Sequence, residues 1–97
     1  MLVGSALKEV RKSKNMKQKH LAEACHMSQT YLSQIENNKV NPNVSVLEKL
    51  SKQLDTPLPV VMFLSLDEDD IADEKRELFR NISPAVKNFI REIFLEQ

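Results

Sequence analysis

With 97 residues and a composition poor in aromatics (5%) and Gly (one) but rich in Leu, Lys, Glu and Gln, the chain holds one small all-α domain plus an appendage. It is too short for two full domains. Its 14 basic and 14 acidic side chains cancel, which excludes a uniformly basic or acidic surface. The absence of any apolar run near the ~20 residues of a membrane span speaks against a membrane protein.

The start, MLVGSALKEV, lacks the basic and apolar regions of a secretion signal, and the single Cys25 has no internal disulfide partner. A cytoplasmic location is therefore expected. Leu7, Val10 and Arg11 mark the inner face of a first helix over about residues 3–14, and Asn15 ends it. Leu21, Ala22 and Cys25 recur at i, i+1 and i+4, giving a second helix of about two turns with one apolar face. A close helix crossing leaves room at Ala22 for little more than a methyl group. His26 falls where the chain must reverse and tolerates positive φ better than most residues. Met27 points back to the core.

Ser28 is an N-cap candidate for a third helix, in which Leu32 and Ile35 are buried. Gln29, Thr30, Ser33 and Gln34 then share the opposite, exposed face. That face carries amides and hydroxyls and no charge, whereas ordinary solvated helix faces carry Lys and Glu. Gln bonds bidentately to adenine N6 and N7, and Ser and Thr bond many groups or pack on a thymine methyl. Two short helices joined by a tight turn, the second opening on small polar side chains, form the layout of a helix-turn-helix that docks into the DNA major groove.

The polar turn Asn37-Asn38-Lys39 follows, with backbone N–H groups and a lysine suited to phosphate. Asn43 is a plausible cap for a fourth helix, with Val44, Leu47, Leu50 and Leu54 at helical spacing, and Asp55-Thr56-Pro57 stops it. Pro59 fits the start of a fifth helix, with Val60 to Leu66 supplying core. The charge then changes sign. Residues 1–63 carry nine Lys or Arg against five Asp or Glu, net +4, and residues 64–97 carry five against nine, net −4. A boundary is drawn there, between a DNA-binding unit over 1–66 and an acidic unit over 67–97. The basic half suits phosphate, and the acidic half is expected to lie away from DNA.

In the acidic unit, DEDD at 67–70 reads as a helix start, where carboxylates are favourable. Ile71, Glu74, Leu78 and Phe79 continue that helix to about Arg80. Ser83-Pro84 reads as a cap followed by proline at the first position of another helix. Its stripe is Val86, Phe89, Ile90, Ile93 and Phe94, at i, i+3, i+4, i+7 and i+8. The expected result is a helical hairpin whose apolar face pairs subunits into a homodimer; packing on its own domain is the bland alternative.

Residues 7 to about 62 resemble the lambda-repressor/Cro-type helix-turn-helix proteins, the XRE family. The resemblance is carried by Arg11, Gln18, Leu21-Ala22, Ser28, Ile35-Glu36, Asn41-Pro42, Leu47 and Leu50. It implies a compact five-helix domain that binds double-stranded DNA, usually as a dimer and usually as a repressor, here with a C-terminal helical extension. It further implies that Gln29, Thr30, Ser33 and Gln34 face base edges. Gln18, Lys17, Tyr31, Asn37, Asn38 and Lys39 become phosphate candidates, Gln18 also bonding the Gln29 amide, and Arg11 pairs with Glu36. The chain departs from the family at Lys17, where Ser or Thr often caps the second helix. Asn15, His26 and Asn38 stand at three turns that tend to hold Gly, and Asn is the usual second choice for left-handed backbone.

Enzymatic readings are poor. His20, Cys25 and His26 are the only zinc-type ligands besides carboxylates, with no CxxC, HExxH or Gly-rich phosphate loop, and the carboxylates at 67–74 lack the spacing of a calcium loop. No metal, no cofactor and no catalysis are expected. Two function classes remain. One is a sequence-specific transcriptional regulator on a palindromic operator. The other is an antitoxin or protein-interaction module whose C-terminal arm binds a partner protein.

Overall fold

A computed structural model describes residues 1–96. Gln97, the last residue of the expected C-terminal unit, lies outside them. The described residues form α1 (Val3–Ser13), α2 (Gln18–Ala24), α3 (Gln29–Glu36), α4 (Val44–Gln53), α5 (Leu58–Leu64), two single 3-10 turns (Glu68–Asp70 and Asp73–Lys75) and α6 (Arg76–Phe94), with no strand among them.

The first five helices close on one core. Leu7 and Val10 of α1, Leu21 of α2, Leu32 and Ile35 of α3, Leu50 of α4 and Val61 of α5 are fully buried, together with Leu54 and Cys25. α1 lies against α3 and α5, while α2 touches α3 and α4. Burial pushes the Cys25 thiol above its ordinary pKa, as suits a small buried hydrophobe. The α1–α3 crossing is very close. A Cβ on Gly4 would lie 1.8 Å from the Ile35 carbonyl oxygen, so the chain's one glycine stands where two backbones nearly meet.

The helix ends follow local chemistry. Asn15, His26 and Asn38 have φ of 56°, 56° and 59°, the left-handed turns expected of them, and Asp55 adds a fourth at 49°. The Ser28 side chain accepts from the Tyr31 N–H at 3.0 Å, and Asn43 accepts from Val46 N–H at 2.9 Å. Lys17 makes no side-chain cap of α2, in keeping with its departure from the family.

The C-terminal segment differs from the expected hairpin. DEDD does not open a long helix. It forms one 3-10 turn closed on itself, with the Asp67 carboxylate accepting from Asp69 N–H and the Asp70 carboxylate accepting from Asp67 N–H, both at 3.0 Å. That backbone hydrogen bond holds the Asp70 carboxyl below its usual pKa. A single helix then runs unbroken through Ser83-Pro84. Pro84 forfeits the bond to the Arg80 carbonyl, a cost of about 3 kcal/mol in a helix interior. Both residues are exposed, so the freed carbonyl lies on the solvent side. Continuity holds the inner face of α6 in line on the domain. Ile90 and Phe94 pack against the core, Lys87 donates to the Leu64 and Leu66 carbonyls, and Arg91 pairs with Glu9 of α1 at 2.6 Å. Lys14 Nζ also donates to the Phe94 carbonyl at 3.2 Å.

The predicted stripe is therefore divided. Ile90 and Phe94 are half-buried against their own domain, whereas Val86, Phe89 and Ile93 are exposed, in line with Leu78 and Ile82.

Candidate nucleic-acid interface

The site begins with a buried charge. Arg11 projects from α1 into the core, and Glu36 ends α3; their side chains are 10% and 1% exposed. Arg11 Nε donates to Glu36 Oε2 at 2.7 Å and Nη2 to Oε1 at 3.0 Å, the forked geometry that guanidinium and carboxylate favour. Arg11 Nη1 donates to the Met16 carbonyl at 2.8 Å, so the pair also fixes the turn before α2.

That turn places Gln18 at the first residue of α2. Its Nε2 donates to Glu36 Oε1 at 3.1 Å, and its Oε1 accepts from Gln29 Nε2 at 3.2 Å. A line of hydrogen bonds thus runs from α1 through the end of α3 and the start of α2 to the first residue of α3. Gln29 keeps its carbonyl oxygen and one amide hydrogen for another partner.

Around Gln29 lies a shallow open depression of about 320 Å³, lined by Gln18, Thr30, Ser33, Gln34, Asn37 and Lys39. All four residues predicted to face base edges meet here. Gln29, Thr30 and Gln34 are exposed and Ser33 is half-buried, its hydroxyl accepting from Asn37 Nδ2 at 3.4 Å. Of the phosphate candidates, Gln18, Asn37 and Lys39 line the depression and the other three do not. Lys17 is exposed just before α2, and Tyr31 is half-buried against the core. Asn38 donates to the Ser5 hydroxyl at 2.9 Å, tying its turn to α1.

A second depression adjoins the first through Asn37. Ser5, Lys8 and Lys12 of α1 line it together with Asn38 and the carboxylates Glu9 and Glu36. Sequence reasoning did not assign these α1 residues to the site. Lys8 and Lys12 stand one turn apart, but only the α1–α3 crossing carries them to the end of α3.

The helix-turn-helix family HTH_3 matches residues 7–61, more than half of the chain. The chain is 29% identical to the immunity repressor protein of Bacillus phage phi105, over 84% of this chain and 65% of that protein, so the match spans just under two thirds of that relative. It is 35% identical to the ImmF control region 10 kDa protein of the same phage, over 74% of this chain and 77% of that protein. Against the HTH-type transcriptional regulator SinR of Bacillus subtilis (strain 168) it is 36% identical, over 63% and 56%. No solved structure matches the chain. An all-helical core, a capped third helix with an uncharged polar face and the family match over residues 7–61 together place the chain in the XRE-type helix-turn-helix family of DNA-binding transcriptional regulators.

Proposed function

We propose that this chain is a repressor that binds a palindromic operator as a homodimer, with α3 in the major groove and α6 joining the copies. The observation that carries this reading is the convergence of Gln29, Thr30, Ser33 and Gln34 on one open face with Gln18 and Lys39 at its edge. Gln29 offers adenine the pair of groups it needs, an acceptor for N6–H and a donor for N7. Asn37 and Lys39 at its edge, and Lys17, Tyr31 and Asn38 outside the depression, serve as phosphate ligands, giving register without sequence preference. Lys8 and Lys12 extend the basic edge along α1. The repressor acts by occupying DNA and needs no catalysis, metal or cofactor. Kinship with a phage immunity repressor and with SinR supports a regulatory role.

Two substitutions separate the roles. Gln29→Ala is expected to weaken operator binding by about 1–3 kcal/mol and to relax preference at one base pair. Lys39→Ala is expected to weaken all sequences alike and to flatten the salt dependence by about one unit. Binding of both variants to a randomised DNA pool reads both effects. Identical sequence profiles for the two variants would overturn the division between base reading and phosphate contact.

A further inference from the structure

The outer face of α6 leaves large apolar side chains in water. Leu78, Ile82, Phe89 and Ile93 are 55%, 49%, 59% and 55% exposed, and Val86 is 38% exposed. With Ala85, which is also exposed, these positions have a symmetry. Turning the helix end for end about the midpoint between Ala85 and Val86 exchanges Leu78 with Ile93, Ile82 with Phe89, and Ala85 with Val86. The seam thus matches itself when read backwards.

We infer that this face is covered by α6 of a second copy of the chain, running antiparallel, with the twofold axis between Ala85 and Val86. The inference rests on the dimeric reading above and specifies its geometry. Two features favour it over a parallel pair. The first is charge. Lys75 immediately precedes α6, and Glu92 and Glu96 stand at its far end. Antiparallel pairing brings Lys75 of each copy to the carboxylates of the other, at both ends of the seam. Parallel pairing gathers the lysines at one end and four carboxylates at the other, which repel. The second is shape. Ile82 borders an apolar groove of about 430 Å³ that Phe63, Leu66 and Phe79 also line. In the antiparallel register Phe89, the most exposed large side chain of the seam, falls opposite Ile82 and so meets this groove. In a parallel pair Phe89 meets Phe89, which does not line the groove. Ala85 stands beside the axis, where a small side chain lets two helices approach closely in either direction. A twofold seam of this kind buries both copies of the face at once.

Engineered cysteines in the full chain test the register, with the buried Cys25 replaced by Ala. Ala85→Cys is expected to form a disulfide-linked dimer under mild oxidation. Leu78→Cys alone is not, but a mixture of Leu78→Cys and Ile93→Cys chains is expected to form the mixed dimer. Circular dichroism of each variant confirms folding. Charge reversal gives an independent measure. Lys75→Glu is expected to raise the dimer dissociation constant about two- to fivefold, the range of an exposed ion pair. Adding Glu92→Lys and Glu96→Lys is expected to restore it. Self-linking of Leu78→Cys would establish a parallel pair and overturn the register. A chain that sediments as a dimer yet yields none of these crosslinks would place the interface elsewhere, leaving dimeric DNA reading intact. A wild-type chain that stays monomeric at high micromolar concentration would overturn both the seam and the dimer.

Discussion

Glu36 decides the direction of every hydrogen bond that leads to Gln29. Arg11 has only donors, and a carboxylate only accepts. Gln18 must therefore turn its NH₂ group to Glu36 and its carbonyl to Gln29, which answers with an N–H. The Gln29 amide is thereby held in one of its two flips by a buried guanidinium at the other end of that line of hydrogen bonds. Removing one member of such a buried pair leaves an uncompensated charge. Glu36→Ala is expected to lower unfolding free energy by about 3–5 kcal/mol, whereas replacing Arg11 and Glu36 together with apolar residues is close to neutral. Urea titration of the single and double variants measures both, and a single variant as stable as wild type would mean that the pair contributes nothing. Arg11 and Glu36 were legible in the sequence because charges stood among apolar neighbours at positions the family fills with the same pair. Ser5, Lys8 and Lys12 were not legible as edge residues, since nothing local tells a solvated lysine from one beside the end of α3.

At the scale of elements, the tightest constraint is the crossing of α1 over the end of α3. Gly4→Ala gains up to about 1 kcal/mol of helix propensity. It also drives a methyl into the Ile35 carbonyl, and overpacking of that kind costs about 1–3 kcal/mol. Net destabilisation is expected, seen as a lower midpoint in thermal melting; an unchanged or raised midpoint would show that α1 shifts freely on α3. No local pattern reveals this, because the atom that Gly4 must avoid lies 31 residues away in sequence. The short turns were easier. Asn15, His26 and Asn38 announce left-handed backbone by residue type, while Asp55 was read only as part of a stop before proline. Ser83-Pro84 shows a local rule overridden. As a dipeptide it signals the start of a helix, but a continuous α6 lets Phe79 lie by Phe63 and Leu66 while Ile90 and Phe94 pack on the core.

At the scale of the molecule, the charge boundary near residue 64 was read as the edge between two units, and the structure fastens what lies on either side of it. Arg91 of α6 grips Glu9 of α1, and Lys14 holds the carbonyl of Phe94. A reading head on a loose tether finds its half-site wherever the DNA puts it. Here the helix-turn-helix and α6 form one arm, so in the proposed dimer the protein would set the distance between the two α3 helices. Each base pair added between half-sites moves them about 3.4 Å apart and turns them by about 35°. A stiff caliper cannot follow both changes. Operators with the spacer one base pair longer or shorter are expected to bind about tenfold more weakly in mobility-shift titrations. Arg91→Gln is expected to shrink that penalty without altering which bases are preferred, and equal affinity for all spacers in the wild-type chain would mean that the heads swivel. The proposed dimer would then select DNA twice, by letters at α3 and by length through the Arg91–Glu9 ion pair that fastens α6 to α1.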